Sequence, residues 1–331
     1  MPASLGEYFH KKSDVRSKFE NRLAELLAYQ NNLSQFGIKV PDRTPIFCAG
    51  CPHRGTLYWL KKVVEEKLRY GVQIPILGDI GCYGIGFMPP FRLVDTFIAM
   101  GQGGSLSFGM NERDRFVTIV GDSTLIHSGM NAIRSAVANK HKIAYIIADN
   151  KTVGMTGHQP NLITGSTISG GEVEQMNLES LVRSLGVRYV DKGDPLKREF
   201  CNKTNNIIER DMTEYPVAVL IADRACALAV KKLGLEYEKA PPFHACGICA
   251  YGQIGNCHQL ENLSKTIGCP AFTLEESLLF SKDKLEPQLD ESRCFECGFC
   301  NEVVEAYPCG IQKRLSKKIK SALDGLEVYK Q

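Results

Sequence analysis

The chain has 331 residues, 44% of them hydrophobic, which is enough to fill the core of one large domain and a small one. Its 40 basic and 37 acidic residues leave a formal net charge of +3, which gives no reason to expect a nucleic-acid partner or a membrane surface. The longest apolar runs, "IAYIIA" and "VAVLIA", have the length of strands, and "MPASLGEYFHKK" carries no apolar signal region. We therefore expect a cytoplasmic protein.

The first 240 residues divide into an arm and an α/β domain. Residues 1–45 hold a polar helical pattern and a linker bounded by prolines, "VPDRTP". Residues 46–240 alternate helical stretches, such as "LIHSGMNAIRSAVANK" and "NLESLVRSLG", with short β-branched runs. These runs are "IPILGD", "RFVTIVGD", "KIAYIIAD", "VRYV" and "YPVAVLIAD". The alternation predicts a parallel sheet with helices on both faces.

Cysteines replace this periodicity after Pro241 and Pro242, so we predict a small second domain over residues 241–312. Residues 313–331 form a basic tail, predicted to be a C-terminal surface helix with a solvated lysine face. Because the thirteen cysteines come without an export signal, they indicate metal binding more than disulfides.

The cysteine spacing in the small domain is typical of a ferredoxin-like fold with two 4Fe-4S clusters. A C-x-x-C-x-x-C run supplies three ligands to one cluster, and the fourth comes from the distant cysteine of the other group. This rule predicts one cluster on Cys269, Cys294, Cys297 and Cys300. It predicts another, with irregular spacing, on Cys246, Cys249, Cys257 and Cys309. Structural zinc is the alternative for both groups.

Four further cysteines are scattered through the large domain. Cys48 and Cys51 lie in "FCAGCPHRG", Cys82 in "GDIGC" and Cys226 in "RACAL". Spacing alone does not join them, since a single C-x-x-C is also a redox or zinc signal.

A cofactor loop is predicted in "VGDSTLIHSGMNAIRSAVANKHKIAYIIADN". Asp122 and Asn150 follow two predicted strands, at the sheet edge where open α/β sheets bind ligands. A carboxylate and an amide oxygen there can share a hard cation with diphosphate oxygens, although Asp122 alone could be a helix-capping residue. The Gly/Thr-rich segment that follows Asn150 has no clear periodicity and is predicted to be a functional loop.

These motifs carry a family resemblance. The pattern GDS, 26 residues, N, together with "DNKTVGMTGHQP", "FCAGCPHRG" and "GDIGC", resembles the 2-oxoacid:ferredoxin oxidoreductases, and most closely their indolepyruvate branch, over residues 40–310. The resemblance implies a thiamine-diphosphate-binding domain with a proximal 4Fe-4S cluster. The ligands of that cluster would be Cys48, Cys51, Cys82 and Cys226. Cys201 would then be a structural cysteine.

The resemblance also implies the roles of individual residues. Asp122, Asn150 and the backbone carbonyl of Thr152 would hold Mg2+ on the diphosphate, and His53 and His158 are the candidate catalytic residues. The predicted cofactor-binding residues also include Gly81, Cys82, Tyr83, Met100, Gly101, Gln102, Gly121, Ser123 and Gly154.

The implied function is oxidative decarboxylation of a 2-oxoacid, of the aryl, indolepyruvate type, to an acyl-CoA. Thiamine diphosphate acts as the electron sink, and three 4Fe-4S clusters pass electrons singly to ferredoxin or another acceptor. Coenzyme A would be a co-substrate. We expect the enzyme to be active only with a partner subunit that carries a pyrimidine-binding domain, and further subunits are expected. The alternatives are an electron-transfer or assembly subunit without its own chemistry, and a non-oxidative thiamine-dependent decarboxylase.

Overall fold

A computed structural model gives the fold of five segments and of a few helical residues among 17–28. The described segments are residues 45–110, 115–210, 213–240, 258–277 and 281–306. Contacts within the chain divide it into two compact units, Met1–Pro45 and Ile46–Gln331. In the first unit, the described residues 20–25 are helical and exposed. No helix in the described segments is long and apolar enough to cross a membrane.

The centre of the second unit is a sheet of five parallel strands in the order β1-β2-β3-β5-β4. All five runs predicted from the sequence contribute a strand, so the parallel α/β fold is confirmed. The central strands are apolar runs buried on both faces, as is typical of parallel sheets. The strands are β1 (Ile76–Leu77), β2 (Phe116–Gly121), β3 (Ile143–Asp149), β4 (Tyr189–Gly193) and β5 (Val217–Asp223).

Helices connect the strands. The first long one is α1 (Pro52–Arg69), and α2 (Gly103–Leu106) is a single turn. A π-helical turn, Leu125–Gly129, joins α3 (Asp122–Thr124) to α4 (Met130–Ala138) in one continuous helical segment, and such turns are frequent at functional sites. The remaining helices of this part are α5 (Leu178–Ser184) and α6 (Glu199–Glu209).

Alternate residues of the central strands pack on opposite faces of the sheet. On one face, Ile119 and Ile146 pack in a core cluster with side chains of α1 and α6. On the other face, Tyr145 packs in a second cluster with side chains of α4 and α5. The strand period of two thus divides the core between two helix layers, as predicted.

The described C-terminal part packs on the same core cluster as α1 and α6. It contains α7 (His258–Ile267), an antiparallel pair of β6 (Phe272–Ser277) and β7 (Ser281–Leu289), and α8 (Phe299–Ala306). Phe299 contacts Tyr58 and Trp59 edge to face, at centroid distances of 5.6 and 5.9 Å. The irregular cysteine group and the basic tail lie outside the described residues, so the two-cluster ferredoxin-like domain stays a prediction.

Candidate functional site

An open crevice lies at the carboxyl ends of β2 and β3, with an empty volume of about 510 Å³ including its mouth. The structure brings together most of the residues that the sequence selected for the cofactor site. Gly101, Gln102 and His158 are not part of the lining. The predicted residues that line the crevice are His53, Gly81, Cys82, Tyr83, Met100, Gly121, Asp122, Ser123, Asn150, Thr152 and Gly154.

Asp122 is a buried carboxylate of the crevice. Its side chain is 2% exposed, and one carboxylate oxygen, Oδ1, accepts a hydrogen bond of 2.5 Å from the Ser123 N–H. The other oxygen, Oδ2, is buried without a hydrogen-bond partner. Burial, with a smaller contribution from the charge of Asp149, raises the pKa of Asp122 to about 7. A bound cation would relieve this cost, because it would supply the missing partner.

Asn150 is held from three sides. Its side-chain nitrogen Nδ2 lies 3.4 Å from Nε2 of His53, and its Oδ1 accepts a 3.4 Å hydrogen bond from the Thr152 N–H. Its main-chain carbonyl accepts a 2.9 Å hydrogen bond from the N–H of Cys226. These contacts tie the loop after β3 to helix α1 and to the loop after β5.

The oxygen atoms of this crevice suit Mg2+. Asp122 provides an unpartnered carboxylate oxygen, and the predicted ligands Asn150 and Thr152 are buried beside it in the same lining. Within the described segments, no three His, Cys, Asp or Glu side chains, those of the two cysteine sets included, are placed to hold a single metal ion. A magnesium site here would therefore depend on one carboxylate, an amide and main-chain oxygen, with the diphosphate as the other ligand. The assignment of these residues stays a prediction.

Asp79, the acidic residue of "GDIGC", is a buried carboxyl beside the crevice to which the sequence motif assigned no role. Its Oδ1 accepts a hydrogen bond from the Tyr83 hydroxyl, and its Oδ2 accepts one of 3.0 Å from the Gly101 N–H. The Tyr83 hydroxyl also lies 3.3 Å from Oγ1 of Thr124. Burial raises the pKa of Asp79 to about 7. This carboxyl joins the loop that carries Cys82 to the loop that carries Gly101.

Two glycines allow these loops to approach the crevice. Gly101 has φ +76°, and a Cβ there would overlap the Ser128 side chain and lie 2.8 Å from its carbonyl carbon. A Cβ on Gly121 would lie 2.8 Å from the Tyr83 ring. Only glycine fits at either position without displacing a neighbour.

The four scattered cysteines are neighbours in the fold. Burial raises the pKa of Cys51 to about 12 and that of Cys82 to about 11, and in both cases the charges of Cys48 and Cys226 add to the shift. Cys82 also lines the crevice, and its Sγ lies 3.5 Å from the position that a Cβ on Gly154 would take. The four cysteines that the resemblance grouped are thus within electrostatic range of one another, and Cys82 is the member that lines the crevice. Their role as cluster ligands stays a prediction.

A second cavity, of about 450 Å³ empty volume, has an almost entirely apolar surface. Burial raises the pKa of Cys294 and of Cys297, and the charge of Cys269 contributes in both cases. Cys51 of the first set lines the same cavity, so the two sets adjoin there. The cysteines of the second set, all of which line this cavity, are Cys269, Cys294, Cys297 and Cys300. Cys246, Cys249, Cys257 and Cys309 lie outside the described residues.

The two candidate histidines differ in setting. His53 is buried, and burial lowers its pKa to about 4, so it is neutral at pH 7. His158 has φ +61°, and its Nδ1 lies 3.9 Å from Sγ of Cys226. His158 is thus beside the first cysteine set, while His53 lies beside the candidate metal ligand Asn150. Cys201, on α6, is half-buried and packs against the core.

The fold and the crevice agree with a match to a thiamine-pyrophosphate-binding domain. Residues 79–221 match the family described as thiamine pyrophosphate enzyme, C-terminal TPP binding domain, and this range runs from Asp79 to the end of β5. The crevice, Asp122 and Asn150 all lie within it or at its edge.

Similar proteins place the chain more narrowly. It is 28% identical over 316 residues to the indolepyruvate oxidoreductase subunit IorA of Methanothermobacter thermautotrophicus, covering 88% of this chain and 47% of that protein. It is 31% identical over 267 residues to the subunit of the same name from Archaeoglobus fulgidus, covering 80% of this chain and 39% of that protein. These matches agree with the resemblance carried by the motifs: the chain is similar in sequence to subunits named indolepyruvate oxidoreductase. It spans half or less of the length of these relatives.

A solved structure, 2-oxoglutarate:ferredoxin oxidoreductase from Magnetococcus marinus with 2-oxoglutarate, coenzyme A and succinyl-CoA bound, is similar at a TM-score of 0.46 and 16% identity. The match covers 84% of this chain and 93% of that chain.

Proposed function

We propose that this chain is the thiamine-diphosphate-binding part of a 2-oxoacid oxidoreductase that converts an aryl 2-oxoacid, of the indolepyruvate type, to an acyl-CoA. The single observation that carries the proposal is the position of Cys82. It lines the crevice of Asp122 and Asn150 and belongs to a set of four neighbouring cysteines. A cofactor crevice with thiols at its wall suits a reaction that releases electrons one at a time.

The crevice supports the binding of a magnesium diphosphate. Asp122 would give the cation a charged oxygen, and Asn150 and Thr152 would give neutral ones. Neutral His53, with its Nε2 3.4 Å from the Asn150 amide nitrogen, would hold that amide so that its oxygen, which also accepts from the Thr152 N–H, keeps a lone pair for the cation. Asp79 would keep Tyr83 and the Gly101 loop in place beside the cofactor.

Thiamine diphosphate supplies an electron sink for decarboxylation, and 4Fe-4S clusters accept electrons singly. The two described cysteine sets would hold one cluster each. The raised pKa values of Cys51 and Cys297 fit this role, because a buried thiolate is stable only beside a compensating positive charge such as iron. The set outside the described residues would hold a third cluster. The electron acceptor would be ferredoxin or another one-electron carrier.

The rim of the crevice supports a partner. Ile80, Met100 and Met155 line the crevice and are exposed, and Phe87 and Phe97 form an exposed aromatic pair at a centroid distance of 5.9 Å. Exposed apolar side chains such as these are typical of an interface. We propose that a pyrimidine-binding domain from outside residues 46–306 docks there and completes the cofactor site.

The proposal is tested by purifying the chain without oxygen and loading it with Mg2+ and thiamine diphosphate. Reduction of a viologen dye by 2-oxoacids is then measured with and without the pyrimidine-domain partner. We expect turnover only with the partner, and the fastest turnover with aryl 2-oxoacids. Iron and sulfide analysis of the same sample is expected to find about twelve iron atoms per chain.

Other results would contradict the proposal in distinct ways. Turnover by the chain alone would refute the need for a partner. Cofactor binding with an iron content near zero would favour a non-oxidative decarboxylase. Iron without cofactor binding would favour an electron-transfer subunit.

A further inference from the structure

Arg54 is a buried arginine between the two described cysteine sets. It lies in the first turn of α1, three residues after Cys51, and only 3% of it is exposed. One guanidinium nitrogen, Nη2, donates to the carbonyls of Phe47 and Cys48 at 2.6 and 2.9 Å. The guanidinium is thereby anchored to the backbone of the first cysteine set.

The other nitrogen, Nη1, donates to the carbonyls of Ile267 and Gly268, which directly precede Cys269 of the second set. One planar side chain therefore joins segments more than two hundred residues apart in the sequence. Five fixed donors make arginine suited to such a bridge, whereas lysine offers a single point of charge.

The charge of Arg54 has no carboxylate partner in the described segments. All four of its hydrogen-bond acceptors are main-chain carbonyls, and Nε is buried without a partner. A buried cation is stabilised by a negative group nearby.

The thiols are the groups in position to do so. Arg54 lines the apolar cavity together with Cys51 and the second cysteine set. It donates hydrogen bonds to the carbonyl of Cys48 in the first set and to that of Gly268, next to Cys269 of the second. Low polarity in this cavity strengthens such an interaction.

We propose that Arg54 is a positioning residue and the shared counter-charge of the two cysteine sets, which holds them at a fixed separation and favours the reduced state of the clusters they bind. This inference rests on the proposed function. Reduction of a cluster adds one electron and one negative charge, so a fixed positive charge nearby stabilises the reduced form. No bond forms or breaks at Arg54.

The test compares Arg54→Met, which removes the charge, with Arg54→Lys, which keeps the charge but loses the fork. Arg69→Met, at an exposed position of the same helix, is the matched control. Cluster reduction is followed by paramagnetic resonance in an anaerobic redox titration, together with iron and sulfide content. In Arg54→Met we expect the reduction equilibrium of both described clusters to fall at least tenfold, about 59 mV for one electron. In Arg54→Lys and Arg69→Met we expect the reduction equilibrium of the same clusters to change less than threefold.

Equal shifts in Arg54→Met and Arg54→Lys would indicate a packing role alone and overturn the proposal, as would unchanged titrations in Arg54→Met with full iron content. If Arg54→Met loses iron, Arg54→Lys decides: retained iron with a near-normal titration supports the shared charge, whereas lost iron in Arg54→Lys would show that the charge alone does not stabilise the clusters and would overturn the shared counter-charge. A wild-type chain without iron would instead overturn the proposed function, and this inference with it.

Discussion

The cofactor crevice and the cysteine cavity are neighbouring regions that differ in the functional groups of their walls. The crevice is formed by loops at the ends of β2 and β3 and presents carboxylate, amide and main-chain oxygen. The cavity is enclosed by α1, α8 and the segments around them, and presents thiols in an apolar wall. Cys51 and Cys82 belong to one cysteine set, yet Cys51 lines the cavity and Cys82 lines the crevice.

The difference shows that burial has a different consequence in each region: it favours a hard cation in the crevice and a soft metal centre in the cavity. In the crevice, burial leaves Asp122 with an unpartnered oxygen and a raised pKa, so a hard cation is favoured. In the cavity, burial raises the pKa of Cys294 and Cys297, so their thiolates need a compensating cation, and thiolate ligands suit a soft metal centre. If this distinction is correct, substitutions in one region should leave the other intact.

The largest effect is expected from Cys82→Ala. Loss of this ligand should remove the proximal cluster, so that about one third of roughly twelve iron atoms is lost and the other cluster signals persist. Cys201→Ala is the matched control and should keep all of its iron. Anaerobic iron and sulfide analysis with paramagnetic resonance measures both variants. An unchanged spectrum in Cys82→Ala would show that the scattered cysteines do not share a cluster.

Asp122→Ala changes the crevice and tests whether the cysteine sets keep their iron. The cation loses its only charged protein ligand, so we expect thiamine-diphosphate affinity in the presence of Mg2+ to fall at least 100-fold, about 3 kcal/mol. Iron content should stay normal, because Asp122 is not a ligand of the clusters. Titration calorimetry measures the affinity, and Asp191→Ala, on β4, serves as the control. Undiminished affinity in Asp122→Ala would refute the magnesium site.

Gly101→Ala should destabilise the crevice through the backbone alone. The positive φ costs about 1 kcal/mol, and the overlap with Ser128 adds about 1–3 kcal/mol. Gly71→Ala is the matched control, because Gly71 has φ +77° with open space around its Cβ position. The free energy of unfolding in urea measures both. Equal losses in the two variants would mean that crowding at Gly101 is relieved by small movements.

Asp79→Asn should change how stability depends on pH. The pKa of Asp79 in the folded chain is about 7, above its usual 3.8, so the folded state holds the proton more tightly. Ionisation between these values therefore destabilises the wild type and has no counterpart in the variant. From pH 5 to 8 the stability of the wild type relative to Asp79→Asn should fall by about 2 kcal/mol. If the free energies of unfolding of the wild type and Asp79→Asn changed equally from pH 5 to 8, the raised pKa of Asp79 would be refuted.

Much of the crevice could be predicted from the sequence. Asp122 and Asn150 each follow a buried strand, and carboxyl ends of parallel strands meet at one edge, so local patterns determine where these residues lie. The role of Asp79 could not be predicted from the motif "GDIGC", because an acidic residue beside glycines is typical of any turn. Its role became visible only when Tyr83 and Gly101 were seen to donate to it.

By itself, the sequence determined the parallel α/β fold, the edge of the sheet that carries the crevice, and the grouping of Cys294, Cys297 and Cys300. Each of these depends on a period or a spacing within a short stretch of chain. Only the tertiary structure decided that Arg54 joins the two cysteine sets, whereas the four scattered cysteines were grouped by the family resemblance and not by their spacing. Those contacts link residues far apart in the chain, and they arise from the packing of α1 against the sheet and the C-terminal part, which no local pattern encodes.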